Sequence, residues 1–222
     1  MFWRQVATLA SNDLRREWRR REVTGLMLPF AAACGLALNF TFDLAIERRA
    51  VVAVGALWVA ILFASILGLS RAYALEQENG VWEGLTLAPI EPGVLYLAKL
   101  LSNLALLAVL DAVAVPVFAG LYNLPLLDIQ PLVSVALGTL ALGAANTLFV
   151  PLAGRTRARE ILLPVLLVPL LVPVIIGAVQ ATVVAVAPDA GTNSPPWTGL
   201  LAACGTLFLG AGYLLYGQLL RD

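Results

Sequence analysis

Apolar residues fill six long stretches of the chain, and each stretch is bounded by polar segments. A helix that crosses the hydrocarbon core of a bilayer needs roughly 20 mostly apolar residues, and all six stretches are long enough. They are residues 23–42, 50–69, 100–121, 131–152, 161–187 and 197–220. We therefore predict an all-α membrane protein in which residues 23–220 form one domain of six transmembrane helices.

Basic residues are concentrated in alternate connections between these predicted spans. Lys and Arg near span ends stay in the cytoplasm far more often than they cross. Only Arg48 and Arg49 fall on one side of the predicted topology. The other side carries Arg4, Arg15, Arg16, Arg19, Arg20, Arg21, Arg71, Lys99, Arg155, Arg157, Arg159 and Arg221. This asymmetry predicts that both termini are cytoplasmic.

Residues 1–22 precede the first span, and their pattern of apolar and basic residues predicts an amphipathic connecting helix. Three- and four-residue steps place one set of apolar residues on one helical face: Trp3, Val6, Ala10, Leu14 and Trp18. A helix with Trp on one face and Arg elsewhere is typical of the membrane interface. The predicted interface residues are Trp3, Arg15, Arg16, Trp18, Arg19 and Arg20. Two roles stay open, a positive-inside anchor alone or a helix that also touches a partner.

Residues 70–99 form the longest connection between the predicted spans. We interpret this connection as a coupling loop. Its first part continues the second span as helix, and Asn79 with Gly80 interrupts that helix. Residues 81–87 are long enough for a short cytoplasmic helix before Pro89 stops it. An exposed Trp82 flanked by acidic residues favours a docking surface, because aromatic anchors dominate protein contacts and charges set their orientation. The acidic residues of the loop fit no metal-ligand pattern.

The predicted spans contain few polar groups and one unusual run of prolines. Asp111 is the one ionisable residue well inside a span, where a charge is expensive enough to suggest a function. The alternative is a protonated carboxyl, or one bonded to a neighbouring helix. The fifth span contains Pro164, Pro169 and Pro173, which predict a bent helix. Such a helix occurs both in moving elements of transporters and in static bundles.

Composition narrows the chemistry of the chain. It is 60% apolar and 13% charged, whereas soluble domains carry about 25% charged residues. There is no histidine, which excludes His-based catalysis and His-ligated metal sites from this chain. Cys34 and Cys204 lie in apolar runs and are predicted to be buried thiols. No phosphate-binding loop is present, so we predict a non-catalytic subunit whose ATP hydrolysis, if any, occurs on a partner.

Three parts of the sequence resemble one family. They are the Phe2-Trp3-Arg4 start with its DLRREWR segment, the ENGVWEGLTLAP stretch with the Ala98-Lys99 pair, and RAREILLPVLLVPLLVPVIIGAV from Arg157 to Val179. All three look like the haem exporter protein B family, CcmB. The resemblance implies an ABC-2-like permease subunit in bacterial cytochrome c maturation, located in the inner membrane. The coupling segment would then be Glu78, Gly80, Val81, Trp82, Glu83 and Leu85.

The resemblance also implies a set of partners. Two copies of the chain would pair with two ABC ATPase subunits. A haem-handling membrane subunit, a small accessory membrane subunit and a periplasmic haem chaperone would join them, and ATP hydrolysis would release the haem-loaded chaperone. Nucleic acid is not an expected partner. Haem iron is usually held by His, Cys, Met or Tyr, and with no His and only Met1 and Met27 as methionines, we expect no cofactor on this chain. An ABC-2 exporter of a lipid, polysaccharide or drug stays open as the alternative, and an ATP-independent scaffold or enzyme is disfavoured.

Overall fold

A computed structural model describes most of the chain as α-helix. The residues described are 2–41, 49–81, 84, 91–154, 159–187 and 196–219. The helices are α1 (Phe2–Arg20), α2 (Thr24–Thr41), α3 (Arg49–Glu78), α4 (Pro92–Tyr122), α5 (Ile129–Gly154), α6 (Arg159–Val186) and α7 (Trp197–Leu219). The described residues contain no strand, which agrees with the predicted all-α class.

Helices α3 to α7 each contain a stretch that is long and apolar enough to cross a membrane. This agrees with five of the six predicted spans and with an integral membrane protein. The first predicted span, residues 23–42, corresponds to α2. With 18 residues it is the shortest of the seven helices described, and it follows α1 across a bend of 69°. A sixth span therefore stays a prediction.

The two helices that flank the predicted coupling loop extend well into it. Helix α3 continues to Glu78, and α4 begins at Pro92 rather than at residue 100. Pro92 occupies the first turn of α4, where its missing N–H breaks no helical bond and its fixed φ suits the helix. The predicted break at Asn79 and Gly80 is confirmed, because α3 ends just before them and Gly80 has a φ of 62°.

Helices α3 and α5 form the centre of the bundle. In their most apolar stretches 61% and 67% of residues are buried, against 28% for α4, 39% for α6 and 22% for α7. The outer helices leave large apolar side chains uncovered, such as Leu101, Ile176 and Leu207. In a membrane protein this is the surface that suits lipid tails or other apolar helices.

Polar side chains join the central helices to their neighbours. The buried indole Nε1 of Trp58 in α3 donates to Thr182 Oγ1 in α6 at 3.1 Å. The amide Nδ2 of Asn146 in α5 donates to Ser65 Oγ in α3 at 3.0 Å. Such bonds between membrane helices contribute about 0.6 kcal/mol each.

Two further predictions concern the proline-rich span and the two cysteines. Helix α6 contains Pro164, Pro169 and Pro173 within one continuous helix, Arg159–Val186, so that bending of this span stays a prediction. Cys34 and Cys204 are free thiols but each is only partly buried. The prediction that both are buried is wrong, because α2 and α7 lie at the outside of the bundle.

Two glycine–tyrosine pairs fix the packing of α4 against α7. Gly212 in α7 lies against the ring of Tyr96 in α4, and Gly93 in α4 lies against the ring of Tyr213 in α7. Tyr96 is fully buried, and its hydroxyl lies 3.2 Å from the Phe208 carbonyl and 3.3 Å from the Ala144 carbonyl. The ring is therefore held in place, and the helices approach closely because glycine has no side chain there.

We expect Gly212→Ala to lower the free energy of unfolding by about 1–3 kcal/mol, as overpacking of a well-filled core does. The added methyl would overlap the Tyr96 ring, which has no room to move. Gly210→Ala is the matched control on the same helix, because no atom lies near its added methyl. Thermal unfolding of the purified protein in detergent compares them, and equal midpoints for the two variants would contradict the packing described.

Candidate functional site

The joint between α1 and α2 turns α1 away from the direction of α2. Arg21 has a φ of 54°, in the left-handed region, and breaks the helix there. Glu17 Oε1 accepts hydrogen bonds at 2.8 Å from both the backbone N–H and the hydroxyl of Thr24. A carboxylate at this place satisfies free N–H groups and opposes the positive end of the α2 dipole. The joint is thus built by side chains of both helices.

Helix α1 then packs across the start of α4. Val6 and Ala10 are both 3% exposed, and Val6 forms a small apolar cluster with Val94 and Ala98 of α4. We call the region where α1, the end of α3 and the start of α4 meet the α1 end of the bundle. The apolar face predicted for α1 is divided in the structure, because Trp3 and Trp18 stay exposed while Val6 and Ala10 are buried.

A buried cation lies at the centre of the α1 end. Lys99 in α4 is 8% exposed, and its Nζ donates to Asp13 Oδ2 of α1 at 2.8 Å and to Glu76 Oε1 of α3 at 2.5 Å. We call Asp13, Glu76 and Lys99 the ion triad. Removing a charge from water is costly unless it is paired and hydrogen-bonded. Lys99 therefore requires both carboxylates, and three helices meet at one point.

A second group of charges lies closer to the surface. Arg71 in α3 reaches Glu22, in the joint between α1 and α2, at 3.0 Å, and Glu78, at the end of α3, at 3.4 Å. Exposed ion pairs of this kind contribute about 0–1 kcal/mol. These ion pairs help to orient the α1–α2 joint relative to α3, and they contribute little to stability.

The ion triad closes the predicted coupling loop at its base. Glu76 and Lys99 are 23 residues apart in sequence, and their contact joins the end of α3 to the start of α4. Glu78 is the last residue of α3, and Asn79, Gly80 and Val81 follow it. Trp82, Glu83 and Leu85 lie outside the described residues. The described residues on either side of the predicted coupling segment are thus joined by an ion pair to the buried Lys99.

A cleft of about 480 Å³ opens beside the ion triad, between α1, α3 and α4. Its polar lining includes Asp13, Arg16, Arg20, Glu76, Asn79 and Asn103. Val81, from the predicted coupling segment, forms part of the same wall. The cleft therefore places the start of that segment next to the arginines of α1.

The predicted interface arginines and the intramembrane carboxyl occupy different places. Arg15, Arg16, Arg19 and Arg20 are all exposed on α1. Asp111 lies far along α4, where its Oδ2 accepts a hydrogen bond from Thr139 Oγ1 of α5 at 2.7 Å. Its Oδ1 is buried and has no hydrogen-bond partner among the described residues. Asp111 thus belongs to the contact between two helices and not to the α1 end.

Sequence reasoning missed the ion triad. Glu76 and Lys99 were read as charges of a loop, and Asp13 was not singled out. One signal in the sequence points to Asp13. Asp13 and Glu17 are the two acidic residues of the otherwise basic α1 and lie one helical turn apart, which marks one face of the helix as different. Their partners, however, are distant in the chain, and no local pattern identifies them.

Comparison with known proteins identifies the family of this chain. The family model described as CcmB protein matches residues 4–213. The chain belongs to the CcmB family. A curated relative, Heme exporter protein B of Rhodobacter capsulatus, is 34% identical over 162 residues, which cover 72% of this chain and 74% of the relative.

The match to the CcmB family includes the whole ion triad, because residues 4–213 contain Asp13, Glu76 and Lys99. It also includes the segment between α3 and α4. The α1 end therefore lies within the matched range, and the resemblance seen in the sequence is confirmed at the level of the family.

We expect Lys99→Met to destabilise the protein by about 3 kcal/mol. Removing one partner of a buried ion pair leaves charges uncompensated and costs about 3–5 kcal/mol, and the carboxylates keep some access to water here. Chemical unfolding of the purified protein measures the loss.

The control combines Lys99→Met with Asp13→Asn and Glu76→Gln, which removes every charge of the triad. Because no uncompensated charge stays buried, we expect this triple variant to regain most of the lost stability. A triple variant as unstable as Lys99→Met alone would show that packing of the lysine stem, and not its charge, is what matters.

Proposed function

We propose that this chain is the membrane permease subunit of an ABC-type haem export complex that acts in bacterial cytochrome c maturation. Membership of the CcmB family and the similarity to Heme exporter protein B of Rhodobacter capsulatus support this function. The structural observation that supports it best is the ion triad, because it ties both ends of the predicted coupling segment to α1. A segment held in this way can pass force to the bundle instead of swinging freely.

In this proposal the partner ATPase contacts the segment that contains Glu78, Gly80, Val81, Trp82, Glu83 and Leu85. A push on the segment reaches α3 and α4 together through Glu76 and Lys99. Helix α3 has 30 residues and is therefore about 45 Å long. Because it is central and bonded to α5 and α6 through Ser65 and Trp58, its displacement reaches the middle of the bundle.

The α1 end is cytoplasmic in this proposal, and the chain is a multi-pass protein of the inner membrane. The excess of Lys and Arg on that side of the predicted topology supports this orientation. ATP is cytoplasmic, so that an ATPase reaches the coupling segment only from this side.

Haem is carried by neighbouring subunits in this proposal, and this chain is a mechanical transmitter. Met27 is 1% exposed and packs against Gly68, and Tyr96 and Tyr216 are buried in the contact between α4 and α7. These possible iron ligands are engaged in packing. ATP-driven movement of the permease would then release the haem-loaded periplasmic chaperone, with the haem-handling and accessory membrane subunits beside it.

We expect Trp82→Ala and Glu83→Arg each to abolish co-purification of the untagged ATPase with this chain. The first removes the proposed anchor, and the second reverses a charge beside it. Phe40→Ala removes an exposed ring at the opposite end of the bundle, and Glu47→Arg makes the same charge reversal between α2 and α3. Both controls should retain the ATPase. Equal recovery with all four variants would overturn the coupling role.

A deletion strain tests the pathway. We expect it to lose holocytochrome c, measured by haem staining of membrane proteins, while other envelope functions persist. Complementation with the Phe40→Ala variant should restore the cytochromes, and complementation with Trp82→Ala should not. Normal holocytochrome c with a defect in a surface lipid or polysaccharide, or in drug resistance, would instead favour the ABC-2 exporter.

A further inference from the structure

Folding sorts the charges of α1 onto two sides. Its two acidic residues are engaged within the protein, Asp13 with Lys99 and Glu17 with Thr24. Arg15 and Arg19 are exposed and make no ion pair with any residue that the structure describes. The outer side of α1 is therefore purely basic, although the helix as a whole contains both signs of charge.

These arginines line an open pocket. It has a volume of about 600 Å³ and is lined by Asn12, Arg15, Arg16, Trp18 and Arg19. The spacing of three and four residues places Asn12, Arg15 and Arg19 on one face of the helix. Guanidinium groups bind phosphate through paired hydrogen bonds, and the amide of Asn12 adds a further donor.

An exposed indole forms the edge of the same pocket. Trp18 is 77% exposed, and Trp3 is 73% exposed at the other end of α1. The two lie 15 positions apart in one helix, which corresponds to about 22 Å. Tryptophan is enriched where one part of a ring meets hydrocarbon and another meets polar headgroups. The pocket therefore combines sites for phosphate with an apolar edge.

We propose that the pocket formed by Asn12, Arg15, Arg16, Trp18 and Arg19 binds the headgroup of an anionic phospholipid. The phosphate contacts Arg15 and Arg19, and the glycerol region lies against Trp18. The lipid anchors the outer side of α1, while the ion triad anchors its inner side. This site goes beyond the proposed haem pathway and does not depend on it.

A lipid fits these features better than other anions do. Free phosphate would use the arginines but gain nothing from Trp18. An acidic protein surface would meet the arginines, but the exposed Trp3 and Trp18 at both ends of α1 are the arrangement expected of a helix lying on a membrane. Anionic lipids also attract basic residues next to a membrane span.

Native mass spectrometry of the full chain in detergent tests the site, with phosphatidylglycerol and phosphatidylcholine of equal chain length as probes. We expect wild type to retain phosphatidylglycerol more strongly than phosphatidylcholine. Each arginine removed should weaken phosphatidylglycerol binding about fivefold, and Arg15→Gln with Arg19→Gln about thirtyfold. Arg48→Gln with Arg49→Gln is the matched control, since it removes the same charge at the start of α3, and it should bind as wild type does.

Three outcomes would overturn the proposal. One is an equal loss of phosphatidylglycerol in the control, which would show nonspecific attraction to charge. Another is displacement of the lipid by excess inorganic phosphate, which would show a site for the free anion. The third is unchanged lipid binding with loss of the co-purifying ATPase in the Arg15 and Arg19 variant, which would show a protein interface.

Quenching of tryptophan fluorescence by brominated phosphatidylglycerol gives an independent measurement in nanodiscs. We expect Trp18→Phe to lose part of the quenching that anionic lipid adds over brominated phosphatidylcholine. Trp58→Phe changes a buried indole in the core and should keep that difference. Equal quenching differences in the two variants would count against contact between Trp18 and the lipid.

Discussion

The arrangement of this membrane protein at one end depends on keeping a single lysine charged inside the fold. Lys99 is almost fully buried and shared by Asp13 and Glu76. Because a buried charge is tolerated only with close partners, its position ties α1 and the end of α3 to the start of α4. The Glu17 cap on α2 and the cleft beside Asn79 lie next to these three residues at the α1 end.

The same constraint connects structure with the proposed function of a CcmB protein. A segment between two helices transmits force only if its ends are held, and the contact of Glu76 with Lys99 holds them. The remaining spans supply a stiff frame, in which the close approach of Gly212 to Tyr96 joins the outer helices α4 and α7 and the bond of Trp58 to Thr182 joins α6 to the central helix α3. Motion at the α1 end is thereby linked to the packed core.

Some of this was predictable from the sequence and some was not. Hydropathy identified the helices α3 to α7, but it placed the start of α4 at residue 100, because Lys99 and the glutamates before it resemble the charges of a loop. In the structure the helix begins at Pro92, which suits a first turn, and Lys99 lies inside the helix because partners on other helices neutralise its charge. The predicted face of α1 was divided for a similar reason, because α4 covers Val6 and Ala10 but not Trp3 and Trp18.

The sequence by itself determined that this is a helical membrane protein of the CcmB family, with a helix break at Asn79 and Gly80. Those features depend on local composition and on spacing along the chain, which act within one helix and need no contact with another. Only the tertiary structure decided which charges meet, because Asp13 and Lys99 are 86 residues apart. It likewise decided that Arg15 and Arg19 make no ion pair with any residue that the structure describes. Packing of three helices brings those groups together, and no periodicity in the sequence encodes that contact.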